Sequence, residues 1–214
     1  MTENIFLFVP NLIGYGRIFL ALISFYFMPT DHVIASFCYL LSGFLDAFDG
    51  HAARAFNQST KFGGMLDMLT DRCGTMCLIA CLGTFYPKYL FWFQLSITID
   101  IACHWLHLHT SLLEGRTSHK SSAANPNFIL QIYYTSRPVL FLMCSGNELF
   151  YASLYLVNFT EGPSVFFGVG LWRLLSYVLL PVGVFKSILA LMQGYYAALN
   201  LGNIDMQERA KATN

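Results

Sequence analysis

Long apolar stretches alternate with short polar connections along the whole chain. A helix needs roughly 20 residues to cross a hydrocarbon core of about 30 Å, and six stretches reach that length. They run approximately from residue 5 to 28, 32 to 54, 62 to 86, 89 to 113, 132 to 157 and 171 to 198. This pattern predicts an all-α polytopic membrane protein built as a bundle of six transmembrane helices.

The composition agrees with a membrane location. Hydrophobic residues make up 56% of the 214 residues and charged residues only 11%, whereas about 25% charged residues is usual in soluble domains. The formal net charge is zero and the sequence has no run of basic residues, so nucleic acid is not an expected partner. We expect a single domain over residues 1–214, with a short polar C-terminal tail at about 200–214.

The distribution of basic residues between the connections predicts the orientation, because cytosolic loops are enriched in lysine and arginine. Six spans would leave both termini on one side of the membrane. Lys88 alone falls on the opposite side, so we expect the termini in the cytosol. The basic residues on the side of the termini are Arg54, Lys61, Arg116, Lys120, Arg209 and Lys211.

One polar segment, "DAFDGHAARAFNQSTKFGGMLDMLTD", interrupts the apolar pattern between the second and third spans. Asp46 and Asp49 are three residues apart, and Asp67 and Asp71 are four apart, so each pair lies on one face of its helix. The short connection at residues 55–61 makes the two helices antiparallel neighbours. All four carboxylates are therefore expected to converge at one depth.

Four neighbouring carboxylates repel one another, and acids inside a membrane are costly unless they are compensated. Arg54 and Arg72 supply only part of the positive charge needed. Hard carboxylate oxygens suit Mg²⁺ or Mn²⁺, and two divalent ions would balance four acids, an arrangement known from phosphoryl transfer. Interhelical ion pairs, or the lining of an ion pathway, are the structural alternatives.

The residues between the two acidic pairs suit a ligand that carries phosphate. Gly50 and Gly63 leave room for a close approach of the backbone. Arg54 and Lys61 offer charge-assisted hydrogen bonds, and Thr60 offers a hydroxyl group. The segment therefore predicts a phosphate-binding region beside the carboxylates.

The spacing D-x-x-D-G-x-x-A-R-x8-G-x-x-x-D-x-x-x-D resembles the signature of the CDP-alcohol phosphatidyltransferase family. The resemblance implies a six-helix membrane bundle, usually dimeric, that transfers the phosphatidyl group of a CDP-linked lipid to an alcohol and releases CMP. The signature positions are filled by Asp46, Asp49, Gly50, Ala53, Arg54, Gly63, Asp67 and Asp71.

The resemblance also implies roles for individual residues. The four aspartates would hold two divalent ions, and Asp71 would in addition be the general base for the acceptor hydroxyl. "VPNLIGYGR" is similar to an element near the start of many members, which makes Asn11 a candidate for the nucleotide pocket; the alternative is a polar residue at a membrane interface. Residues matched to the CDP part of the donor are Gly50, Ala53, Arg54 and Thr60.

The fourth span carries a polar stripe. In "DIACHWLHLH", Asp100, His104 and His107 fall within about 40° of one another around a helix. A polar face on an apolar span is expected to point into the bundle or a watery cavity. We predict that these residues, with Arg137 near the start of the fifth span, form the acceptor pocket, although interior hydrogen bonds or interfacial positions also explain single histidines.

The stretches "HWLHLH", "IYYTSRP" and "GNELFY" resemble the eukaryotic members of the family that use myo-inositol. The resemblance implies CDP-diacylglycerol as donor, myo-inositol as acceptor, and a place in the endoplasmic reticulum membrane with the site facing the cytosol. The alternatives are another acceptor, such as glycerol 3-phosphate or serine, and an unrelated divalent-cation transporter.

Overall fold

The computed structural model describes residues 4–114, 128–166 and 168–213. Most of these residues are helical, and two short strands form an antiparallel pair, β1 (Ser164–Phe166) and β2 (Val169–Gly170). Short 3-10 helices cover Ile5–Leu7 and Pro87–Tyr89. The α-helices are α1 (Val9–Phe27), α2 (His32–Ala55), α3 (Lys61–Phe85), α4 (Leu90–Leu113), α5 (Phe128–Thr135), α6 (Arg137–Val157) and α7 (Leu171–Thr213).

The six predicted stretches coincide with six long helices, with two differences. The predicted fifth stretch crosses a break at Ser136 that separates α5 from α6. Pro138 fits this break, because proline lacks the N–H group that would continue the hydrogen bonding of α5 and is tolerated in the first turn of a new helix. The polar tail from about residue 200 is largely exposed, as predicted, but it continues α7 as helix.

Among the described residues, four helices are long and apolar enough to cross a membrane: α1, α2, α6 and α7. The number rises to five if Lys61–Phe85 and Pro87–Leu113 count as one broken span, although the chain bends by 119° between them. A polytopic all-α membrane protein is therefore confirmed, whereas six separate crossings and a single domain over the whole chain stay predictions. Arg116 and Lys120, used for the orientation, lie outside the described residues.

The exterior and interior of the bundle have the polarity expected of a membrane protein. Large apolar side chains such as Phe19, Phe37 and Phe141 are exposed, and a lipid environment would cover such a surface. Buried polar side chains include Asn11 and Lys186. The polar groups that carry chemistry are therefore found inside the bundle.

The connection between α2 and α3 determines how the two acidic helices meet. Asn57 adopts a left-handed backbone conformation with φ of 54°, which asparagine tolerates better than most residues. Thr60 then caps α3, since its hydroxyl accepts a 3.0 Å hydrogen bond from the backbone N–H of Gly63. This tight turn brings the end of α2 beside the start of α3.

Candidate active site

The four aspartates of the polar segment lie together, as their spacing predicts. One carboxylate oxygen from each of Asp46, Asp49 and Asp67 lies within 4.8 Å of the others. Asp71, one turn after Asp67 on α3, contacts the same side chain as the other three. The cluster therefore offers at least three convergent hard oxygen donors.

That shared contact is Arg17, which the sequence analysis missed. Its Nη1 lies 2.8 Å from Asp46, 2.6 Å from Asp49 and 2.9 Å from Asp67, and its Nη2 lies 2.5 Å from Asp71. Arg17 is only 1% exposed. A charged residue in the middle of the first apolar stretch was the available signal, because ionisable residues inside a membrane are usually functional.

Close packing of α1 places Arg17 among the acids. The Ser42 hydroxyl on α2 donates a 3.0 Å hydrogen bond to the backbone oxygen of Arg17. On the other side, a Cβ atom on Gly14 would lie 2.8 Å from a side-chain carbon of Leu66 on α3. The Leu66 side chain thus packs directly against the backbone of Gly14, so α1 contacts both acidic helices.

Arg72 supplies part of the positive charge near the cluster, as predicted. Its charge acts on Asp71, the residue before it on α3. Its Nη1 also forms a 2.7 Å ion pair with Asp100 on α4. Arg17 provides the direct contact with the four acids, and Arg72 in addition links α3 to α4.

A cavity of about 450 Å³ opens beside the carboxylates, with Asp49 and Asp67 in its wall. Every residue that the sequence analysis assigned to the donor lines this cavity. They are Asn11, Gly50, Ala53, Arg54, Thr60, Lys61 and Gly63. The structure thus brings the predicted phosphate-binding residues and two of the predicted metal ligands to one place.

Asn11 has an unsatisfied polar atom in this region. Its side-chain nitrogen donates a 2.7 Å hydrogen bond to the backbone oxygen of Ile5, but its buried Oδ1 has no partner within the described part of the chain. Asn11 is 1% exposed, which disfavours the alternative of a polar residue at an interface. A buried acceptor without a partner is costly, so this oxygen suits a hydrogen-bond donor on a ligand.

The residues predicted for the acceptor pocket are only partly together. Asp100 pairs with Arg72, and the His104 Nδ1 lies 2.8 Å from the Asp100 backbone oxygen and 3.4 Å from its carboxylate. The His107 ring stacks against Tyr134, with centroids 6.0 Å apart. Arg137, the first residue of α6, is exposed. Asp100 and His104 therefore form the core of this region.

Two further charged residues inside the bundle were not assigned to the site from the sequence. Glu148 on α6 accepts 2.7 Å hydrogen bonds from Tyr39 and Thr75, and the Thr75 hydroxyl lies 3.1 Å from the Asp71 backbone oxygen. Lys186 on α7 is buried and donates a 2.7 Å hydrogen bond to the Tyr133 hydroxyl. Glu148 thus joins three helices beside Asp71.

Comparison with known proteins agrees with this geometry. The CDP-alcohol phosphatidyltransferase family profile matches residues 7–159, which is more than half of the chain. The chain belongs to this family. The match spans the four aspartates and all of the cavity-lining residues assigned to the donor, so the family resemblance of the spaced motif is confirmed.

Individual family members are similar over almost their whole length. A rat protein named CDP-diacylglycerol--inositol 3-phosphatidyltransferase (Rattus norvegicus) is 58% identical over 209 residues, covering 98% of each chain. Its human namesake (Homo sapiens) is 57% identical with the same coverage. The protein of that name from Saccharomyces cerevisiae is 39% identical over 95% of this chain and 90% of its own.

The donor set fits the divalent ions that the family resemblance implies. The oxygens are hard ligands, which Mg²⁺ and Mn²⁺ prefer. The four carboxylates contact the Arg17 guanidinium, and Arg72 also acts on Asp71, so acidic side chains outnumber these two basic ones. The CDP-alcohol phosphatidyltransferase site is therefore compatible with divalent metal use.

Proposed function

We propose that the chain transfers the phosphatidyl group of CDP-diacylglycerol to myo-inositol, giving phosphatidylinositol and CMP. The observation that carries the proposal is the convergence of four aspartates, two of which, Asp49 and Asp67, line a cavity together with the motif's donor residues. The choice of inositol is supported by relatives that are 57–58% identical over 98% of their length.

The cavity would hold the cytidine diphosphate part of the donor. Arg54 and Lys61 in its wall supply positive charge for phosphate oxygens. The free Oδ1 of Asn11 would accept a hydrogen bond from an N–H or O–H group of the nucleotide. Small residues at Gly50, Ala53 and Gly63 leave space for the ligand.

Asp46, Asp49, Asp67 and Asp71 would hold two Mg²⁺ or Mn²⁺ ions. When bound, these ions supply Lewis-acid stabilisation of the charge that develops on the diphosphate. Arg54 and Lys61 in the cavity wall would hold the anionic diphosphate beside these carboxylates. The four aspartates also keep the acidic face of α2 opposite that of α3.

Asp71 is the proposed general base. Its carboxylate is 37% exposed, whereas that of Asp49 is 11% exposed, so Asp71 is open to an incoming hydroxyl. The base accepts the proton as the inositol oxygen attacks the β-phosphorus, which carries the diacylglycerol. A new bond forms between inositol and that phosphorus, and the bond to the oxygen of CMP breaks.

We place the acceptor next to Asp71, in the region predicted from the polar stripe. Asp100 and His104 are held there by Arg72, the residue that follows Asp71 on α3. His107 and Arg137 remain proposed contacts at its edge. An uncharged polyol suits this region because Arg72 and Asp100 neutralise each other, while hydrogen-bond donors and acceptors stay available.

We also propose a homodimer in the endoplasmic reticulum membrane with termini and active site towards the cytosol. In the predicted arrangement Arg54, Lys61, Arg209 and Lys211, which lie at helix ends or in the tail, would be on the side of the termini. Lys88, in the short helix that follows α3, would be on the opposite side. This charge bias supports the orientation. Both soluble molecules, inositol and CMP, are cytosolic in this arrangement.

The test is a transfer assay on membranes that contain the chain. CDP-diacylglycerol and Mg²⁺ are supplied with labelled myo-inositol, glycerol 3-phosphate or serine, and lipid product and CMP are measured together. We expect label in lipid from inositol alone, and an Asp71→Asn variant about 10²- to 10⁴-fold slower. Incorporation of another alcohol would overturn the acceptor, and an active Asp71→Asn variant would overturn the base.

A further inference from the structure

Arg17 contacts the carboxylates in the manner of a bound cation. Three oxygens, from Asp46, Asp49 and Asp67, surround its Nη1 at 2.6–2.9 Å. A guanidinium Nη atom carries only two hydrogens, so three carboxylates cannot each receive a separate hydrogen bond from it. The arrangement is that of several ligands around one centre of positive charge.

The same three aspartates are the ones whose carboxylate oxygens come within 4.8 Å of one another. They are therefore the residues best placed to bind one divalent ion together. The Nη1 of Arg17 lies among them, and a nitrogen and a metal ion cannot share that space. Both cations require the same electron pairs and the same negative charge.

We propose that Arg17 is an internal competitor of the divalent ion. The inference rests on the proposed metal site. Arg17 holds the four carboxylates of α2 and α3 in place, and a divalent ion must displace its guanidinium from Asp46, Asp49 and Asp67. Arg17 is thus a positioning residue that also lowers the affinity of the site for metal.

Local contacts allow the side chain to move while its helix stays fixed. The backbone oxygen of Arg17 is bonded to Ser42, which anchors α1. The Nε atom is buried without a hydrogen-bond partner in the described part of the chain, so the carboxylates alone hold the guanidinium. Two of these carboxylates, those of Asp49 and Asp67, line the cavity, so open space lies next to the guanidinium.

A structural role without competition makes the opposite prediction. If Arg17 only ordered the carboxylates, its removal would scatter the ligands and weaken metal binding. Competition predicts tighter metal binding, because the ion no longer has to displace a positive charge. The sign of the change in metal affinity therefore separates the two.

The experiment measures Mn²⁺ binding to the purified full-length protein, from the electron paramagnetic resonance signal of free Mn²⁺. Thermal unfolding is followed in EDTA and in Mn²⁺. We expect Arg17→Gln to bind Mn²⁺ tighter by about tenfold or more. It should also unfold at a lower temperature in EDTA, with most of the loss recovered in Mn²⁺. Arg17→Lys should change both quantities in the same direction by less.

The matched control is Lys186→Gln, which removes a buried cation that contacts Tyr133 and Cys144 instead of the cluster. Its Mn²⁺ affinity should equal that of the unmodified protein. Equal or weaker Mn²⁺ binding by Arg17→Gln overturns the inference. If Arg17→Gln does not fold even in Mn²⁺, equal or weaker Mn²⁺ binding by Arg17→Lys overturns the inference.

Asp49→Asn separates this inference from the metal site on which it rests. Loss of Mn²⁺ binding in Asp49→Asn, together with unchanged affinity in Arg17→Gln, contradicts the competition alone. An unmodified protein that binds no Mn²⁺ contradicts the metal site, and the competition with it. Tighter Mn²⁺ binding by Arg17→Gln, lost when Asp49→Asn is added, supports both the metal site and the competition.

Discussion

Two arginines inside the bundle differ in the number of acidic side chains with which they form ion pairs. The Arg17 side chain is 2% exposed and faces four carboxylates, whereas the Arg72 side chain is 20% exposed and faces Asp100. The Arg17 region keeps excess negative charge, and the Arg72 region is balanced. The difference supports the proposed placement of the ligands. Cations suit the first region, the diphosphate would bind beside it at the basic residues of the cavity wall, and an uncharged polyol suits the second region.

The largest effect is expected from removing a ligand in the Arg17 region. Asp49→Asn takes away the most buried carboxylate of the cluster, and metal ions supply several kcal/mol of transition-state stabilisation in such sites. We expect kcat to fall by about a thousandfold or more. The check is the rate of CMP release at saturating substrates over a range of Mn²⁺ concentrations. Near-normal turnover in a folded protein would show that Asp49 holds no catalytic ion.

An intermediate effect is expected in the balanced region. Asp100→Asn leaves Arg72 without its partner and removes a hydrogen-bond acceptor from the proposed acceptor pocket. Hydrogen bonds to charged groups are worth about 1.5–3 kcal/mol, so KM for inositol should rise by about tenfold or more. KM for CDP-diacylglycerol should change little. Initial rates with each substrate varied in turn measure the two constants.

The control for this variant is His109→Gln on the same helix. His109 is exposed, whereas His104 lies against Asp100. His109→Gln should keep both KM values. If Asp100→Asn raised the donor KM and spared the inositol KM, the division of the site into a charged donor region and a neutral acceptor region would be wrong.

The predictable part of the site follows from short-range spacing. Asp46 and Asp49, like Asp67 and Asp71, share a helix face, and the tight turn through Asn57 makes the two faces meet. These relations depend on helix period and loop length alone. The helix ends and the donor cavity followed for the same reason. Pro138, a residue type that can bend or begin a helix, lies in the first turn of α6 after the break at Ser136.

The partners of the two arginines depend on long-range packing. Arg17 is separated from its carboxylates by 29 to 54 positions, and no periodicity links α1 to α3. Its contact depends on how α1 packs against α2 and α3, which spacing does not reveal. Arg72 follows Asp71 directly, so its charge near the cluster could be expected from local sequence, whereas its ion pair with Asp100 on α4 could not.

The smallest effect is expected from adding a methyl group in the cavity beside the aspartates, which changes the space there and leaves the charge as it is. A Cβ atom on Gly63 would lie 2.8 Å from Asn11 Oδ1 and 3.2 Å from the Thr60 hydroxyl oxygen, whereas one on Gly64 would meet nothing within 4 Å. Both glycines line the cavity and lie in the first turn of α3. Any general effect of replacing a glycine by alanine in this turn should therefore be the same for Gly63→Ala and Gly64→Ala.

We expect Gly63→Ala to raise KM for CDP-diacylglycerol by about three- to tenfold, because the added methyl group displaces Asn11 or Thr60 at a cost of about 1 kcal/mol. Gly64→Ala should stay within twofold of the unmodified protein, and KM for inositol should be unchanged in both. The measurement is initial rate against donor concentration in mixed micelles. Equal donor constants for the two variants would mean that the diphosphate does not approach Gly63, and the nucleotide would have to lie elsewhere in the cavity.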